Sequence, residues 1–173
     1  MSNVVKGLIA AGGVLALGAA GFLGYVAMQP GELVVEKQVQ VAATPADVAP
    51  YARDLHKWNE WSPWADIDPQ VQASYSDPSE GEGAWYAWEG NDDVGKGKMT
   101  VQRDADGEVV HQVAFEKPME DVATSTIRWK AVDETHTAIT WSFHQDAGFG
   151  TKLANVLMDI EGMLQGDYDK GMA

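Results

Sequence analysis

The sequence predicts an α+β protein: a curved antiparallel sheet of about six to seven strands wrapped on one long C-terminal helix, preceded by an N-terminal transmembrane helix. Three observations carry this. Alternating apolar and polar residues recur in segment after segment from Leu33 to Gln145, the period changes to three and four after Phe149, and the chain opens on a long uncharged run.

That run comes first. No charged side chain falls between Lys6 and Glu32, and Gly7 to Met28 is mostly apolar. As a helix it would extend about 33 Å, enough for the roughly 30 Å hydrocarbon core of a bilayer. An uncleaved anchor is expected over a cleaved signal, because the run is long and ends in Val-Ala-Met-Gln-Pro, a poor cleavage match. Lys6 ahead of it places the N-terminus in the cytoplasm and the following domain on the outer side of a cell (inner) membrane, as a single-pass protein. The expected division is therefore 1–31, anchor and linker, and 32–173, a folded domain.

Within the domain, Val35, Lys37, Val39 and Val41 alternate with Val34, Glu36, Gln38 and Gln40 as a half-buried strand. Thr44-Pro45-Ala46-Asp47 then reads as a capped helix start, and a helix to about Leu55 follows, with Pro50 as a break point. Val71 to Tyr75, Ala84 to Glu89, Val94 to Arg103, Glu108 to Phe115, Ala123 to Val132 and Thr137 to Gln145 read as a meander of strands joined by turn sequences such as Asp104-Ala105-Asp106-Gly107. From Phe149 to Tyr168 the residues Leu153, Val156, Leu157, Ile160, Leu164 and Tyr168 recur at helical spacing, predicting one long amphipathic helix.

Composition narrows function. A net charge of −14, with all 26 acidic and all but one of the 12 basic side chains from residue 32 onward, offers no basic stripe for nucleic acid. The absence of cysteine removes thiolate chemistry and disulfides, and the four histidines show no metal-ligand spacing, so neither a metal nor a cofactor is expected. Gly95-Lys96-Gly97-Lys98 lacks the spacing of a phosphate loop.

The most distinctive stretch is Leu55-His56-Lys57-Trp58-Asn59-Glu60-Trp61-Ser62-Pro63-Trp64, which carries three of the seven tryptophans. A spacing of three sets these indoles on one side of a tight helical turn until Pro63 interrupts it, forming an aromatic wedge. Together with Ala43-Thr44-Pro45-Ala46-Asp47-Val48, Tyr75 ahead of Glu80-Gly81-Glu82-Gly83, Gly95-Lys96-Gly97, Phe115-Glu116-Lys117-Pro118 and Thr137-Ala138-Ile139-Thr140-Trp141, this stretch resembles the START-like, helix-grip superfamily. Within it, the match is to the polyketide cyclase/dehydrase and lipid-transport group often labelled SRPBCC. The resemblance spans about 140 residues, all but the anchor, and implies a ligand-binding cavity without implying a reaction.

The expected function is therefore membrane-anchored binding of a lipid or other hydrophobic small molecule in an apolar cavity between sheet and helix. Trp61, Trp64, Tyr75, Trp88, Phe115, Trp129, Trp141, Leu157 and Met158 are the expected lining. A cyclase- or hydrolase-like enzyme using the same cavity is the alternative, with His111 and Glu116 as weak catalytic candidates. A structural or assembly module without a ligand is the other, and it gains if the tryptophans are close-packed.

Overall fold

The computed structural model describes residues 2–173; the side chains of residues 3, 4 and 6–11 are outside the description. It divides into two compact units, one comprising the chain up to Gly31 with Ala147–Ile160, the other Glu32–Asp146 with Glu161–Ala173.

In the first unit, helix α1 (Asn3–Ala27) is accompanied by α5 (Phe149–Met158). The Ala147 N–H donates to Gly31 O at 2.8 Å and Lys152 Nζ to Ala27 O at 3.3 Å. Val26 is fully buried, whereas Val14, Leu15 and Leu17 stand exposed.

The transmembrane expectation is corrected here. Among the described residues no helix is long and apolar enough to cross a membrane. Within α1, Gly12, Gly13, Gly18, Gly21 and Gly24 dilute the apolar surface. The membrane anchor and the single-pass placement, with a cytoplasmic N-terminus and an outer domain, fall with it. The side chain of Lys6, which supplied the orientation, lies outside those described.

The second unit is a seven-stranded antiparallel sheet of β1 (Glu32–Val41), β2 (Gln72–Tyr75), β3 (Trp85–Glu89), β4 (Lys96–Ala105), β5 (Glu108–Lys117), β6 (Asp121–Ala131) and β7 (Thr137–Asp146). Its spatial order is β1-β7-β6-β5-β4-β3-β2. The alternation in the sequence sets one face inward: Leu33 and Val35, Gly97, Met99 and Val101, Val109, His111 and Val113, Ala123, Ser125 and Ile127, and Trp141 and Phe143 are all buried. Register shifts at Lys96/Gly97 and Val101/Arg103 mark bulges in the β4–β5 pair.

Between β1 and β2 lie α2 (Pro45–Arg53), a 3-10 turn (Leu55–Lys57), α3 (Trp58–Trp61) and α4 (Trp64–Ile67). The capping box at α2 is present, Thr44 Oγ1 accepting from the Asp47 N–H while the Asp47 carboxylate accepts from the Thr44 N–H at 3.1 Å. Pro50 sits inside α2 without dividing it.

The long terminal helix is two helices. Asp159 adopts φ 52, a left-handed conformation that ends α5, and α6 (Ile160–Gly171) begins beside it. Lys37 on β1 reaches Asp169 on α6 at 2.6 Å, and this hydrogen bond, more than the charge, lowers the Asp169 pKa.

Candidate functional site

Three groups of aromatic side chains occupy the inner face of the sheet. The central one is the wedge. Because α3 and α4 are single turns separated by Ser62-Pro63, the Trp58, Trp61 and Trp64 rings all converge on Trp141 of β7, at centroid distances of 5.6, 5.0 and 5.8 Å. Each meets it near a right angle, the edge-to-face geometry aromatic quadrupoles favour. Tyr168 of α6 stacks on the same indole at 3.7 Å. Gly171 permits this approach, since a Cβ there would lie 2.9 Å from Pro63 Cδ and 3.3 Å from Trp141 Cζ3.

Under the wedge the inner face turns polar. Trp141 Nε1 donates to Ser125 Oγ at 2.9 Å, and burial raises the Tyr168 pKa although its hydroxyl interacts with Ser125 and Trp141. Beside Ser125 in register is His111, whose side chain is 0% exposed. Neither of its ring nitrogens makes a formed hydrogen bond among the described residues. Burial pushes its pKa down from 6.5 to about 4; the Ser125 backbone opposes that shift from a position that does not make a formed hydrogen bond. The indole of Trp58 lies over the imidazole at 6.4 Å between centroids, the planes 62° apart.

The second group is a ladder across β2, β3 and β5. Tyr75 and Tyr86 lie 5.2 Å apart, Tyr86 and Trp88 5.7 Å, and Trp88 and Phe115 6.1 Å. Tyr86 is buried, and desolvation with Tyr75 beside it pushes its pKa up to about 12. Tyr75, Trp88 and Phe115 are half-buried. The Trp88 ring lies against Gly97, where a Cβ would come within 2.5 Å of Cζ2, so this glycine makes room for the indole. Asn59 Nδ2 donates to Tyr75 Oη at 3.1 Å, linking ladder and wedge.

The third is Trp129, buried on β6 with the Arg53 guanidinium 5.3 Å from its ring centroid. Arg53 is fixed by Asp104 at 2.8 Å and by the Ala105 carbonyl at 2.9 Å.

The expected lining residues are thus distributed. Trp61, Trp64 and Trp141 meet in the wedge, Tyr75, Trp88 and Phe115 in the ladder, and Trp129 lies apart under α2. Leu157 and Met158 are 66% and 60% exposed on α5, in the other unit. Glu116 is exposed at the β4–β5 bulge, 3.4 Å from Lys96, and the structure does not bring it to His111 on the inner face. Tyr86, Ser125 and Tyr168 join the site without having been expected to line it, and Trp58 joins it as the first indole of the wedge. Ser125 and His111 carried a signal, since each is a polar residue in an otherwise apolar alternation on neighbouring strands.

A cleft of about 250 Å³ adjoins the wedge, lined among others by Asn59, Glu60, Ser62, Asp66 and Lys170. Among the described residues no three His, Asp or Glu side chains gather as metal ligands would.

Comparison with solved structures places this geometry. Norcoclaurine synthase from Thalictrum flavum, a point mutant in complex with a transition-state analogue, superposes with TM-score 0.58 at 13% identity, covering 82% of this chain and 92% of that one. A hypothetical protein of Helicobacter pylori gives TM-score 0.57 at 13% identity, covering 80% and 85%. A protein from Arthrobacter aurescens gives 0.55 at 17% identity, covering 79% and 82%. At such identities the likeness is one of fold. No curated protein matches the sequence. The family model described as polyketide cyclase / dehydrase and lipid transport matches residues 32–173, essentially the whole sheet-bearing part, and the chain belongs to that family.

Proposed function

We propose that the domain binds a lipid or other hydrophobic small molecule on the inner face of its sheet, entering over the Tyr75–Tyr86–Trp88–Phe115 ladder. The observation that carries this reading is the half-exposed rim of that ladder: Tyr75, Trp88 and Phe115 remain partly open. Aromatic walls with few polar groups are the usual lining of sites for apolar ligands. The family description names lipid transport, and the norcoclaurine synthase neighbour is described in complex with a small molecule, so the fold accommodates one.

Occupancy requires the wedge to yield. Trp58, Trp61 and Trp64 hold the centre of the inner face, and an apolar ligand reaches it by exchanging contacts with those rings, apolar for apolar. Native mass spectrometry of the full chain, purified in mild detergent and incubated with a panel of fatty acids and polycyclic aromatics, tests the reading. A stoichiometric adduct that is lost on Trp88→Ala is the expected result; failure of every apolar probe to bind overturns it.

One observation favours a second reading. The wedge rings are in mutual contact, as in a filled core, which suits an assembly module that takes no ligand. The same experiment separates the two, since a filled core returns no adduct.

A further inference from the structure

The inner face places a polar group where its surroundings give it nothing to do. On β5, Val109 and Val113 flank His111; across the strands, Val101 and Ser125 stand beside it. Ser125 Oγ is engaged by Trp141 Nε1 and interacts with Tyr168. Trp58 meets the imidazole with the ring planes 62° apart and the centroids 6.4 Å apart. The imidazole is therefore fully buried with no formed hydrogen bond at either nitrogen, the Ser125 backbone being the polar group that influences it. Leaving such a group unpaired is a penalty that a leucine at this position would not incur.

The cover is carried by a short element. Helix α3 is four residues long with no side-chain cap, held by the Ser62 N–H to Trp58 O bond of 2.9 Å and by Trp61 Nε1 donating to Tyr51 O at 3.2 Å. Single turns have little stability of their own. Outward movement of Trp58 uncovers His111 at the centre of the inner face, beside Val101 and Met99, which lead on to the Tyr86 ladder.

Resting on the ligand-binding reading above, we infer that His111 is the polar anchor of the site, and that the ligand is a neutral apolar molecule bearing a hydroxyl group. A neutral imidazole offers one N–H donor and one lone-pair acceptor. A hydroxyl answers both. A carboxylate accepts only and carries its charge into an apolar interior, and an ammonium donates only with the same penalty. A hydrocarbon leaves both nitrogens unsatisfied, as they are under Trp58.

The test uses a matched pair, 2-naphthol and naphthalene, titrated calorimetrically into the full chain at pH 7. Wild type binds 2-naphthol about ten-fold more tightly than naphthalene, the value of one hydrogen bond made to an already desolvated partner. His111→Leu abolishes that preference while naphthalene still binds, and His111→Gln, which keeps a donor and an acceptor, retains part of it; near-ultraviolet circular dichroism confirms that each variant is folded. An equal preference in wild type and His111→Leu, with both probes bound, overturns the anchor and leaves hydrophobic binding standing. Binding of neither probe by wild type overturns the ligand-binding reading and the anchor with it.

Discussion

Lowering the pH from 7 to 5 should destabilise the wild-type protein through one residue, His111. Its pKa falls from an ordinary 6.5 to about 4 on folding, and burial is the leading cause. The unfolded chain therefore takes up a proton between those values that the folded protein refuses. Stability is complete above about pH 6.5 and declines as pH falls toward 4, because the unfolded state binds more protons throughout that window. At about 1.4 kcal/mol for each ten-fold change in proton affinity, the loss reaches about 2 kcal/mol by pH 5 and about 3 kcal/mol below pH 4. Urea unfolding followed by tryptophan fluorescence at pH 7, 6 and 5 measures it, with His111→Leu as the comparison. The other histidines are common to both proteins, so the difference isolates residue 111. The strongest carboxylate shift, that of Asp133, held down to about 2 by the Thr135 backbone, acts below this window. Parallel pH dependences for wild type and His111→Leu would refute the argument.

Other substitutions test the packing around the site. Ser125→Ala strands the Trp141 indole N–H and should cost about 1–3 kcal/mol in urea, with a change in tryptophan emission. Gly97→Val brings a side chain against Trp88 and the Ala114 carbonyl, where a Cβ already falls within 2.6 Å of both; a loss of about 1–3 kcal/mol and a shifted Trp88 signal are expected. Gly171→Val pushes α6 from Pro63 and Trp141, and hydrogen exchange should quicken across residues 58–67 more than across β6 and β7. Thr44→Ala removes the α2 cap and should lower stability by about 1 kcal/mol without altering ligand binding.

How much was legible in the sequence follows from which forces are local. Strand parity is local: Gly97, Met99 and Val101 read as one face because side chains alternate with a fixed period, and they are buried together. The Thr44–Asp47 cap is local as well, and it formed. The division of the last helix was not legible, because Leu153, Val156, Leu157, Ile160 and Leu164 keep helical spacing straight through Asp159, and one left-handed residue leaves no trace in a hydrophobic period. The uncharged N-terminal run was read from the absence of charge, which does not weigh the glycines within it. The wedge was visible as three tryptophans at a spacing of three, but their common partner Trp141 lies on a distant strand, and pairing across the sheet is set by topology. The same holds for the Tyr75–Tyr86–Trp88–Phe115 ladder, whose members come from three strands.

The distribution of support within the sheet unit bears on how a site could open. Strands β4 to β7 are 10 or 11 residues long and joined by ladders of eight or nine pairs, while the wedge is carried by two four-residue helices interrupted by a proline. Local opening takes the least supported element first. Beneath that element lies a place where the inner face departs from its own pattern, with His111 making no formed hydrogen bond and Ser125 shared between Trp141 and Tyr168. A core selected only for stability would put apolar residues there and strengthen its cover. Finding both departures at one spot is what a functional site imposes on an otherwise consistent fold, since local rules are broken where binding requires it. It follows that hydrogen exchange of the free protein should release the amides of residues 58–67 well before those of β6 and β7, and that 2-naphthol should alter the exchange of 58–67 most. Uniform protection across both regions would mean that the wedge is core and that His111 has no partner to receive.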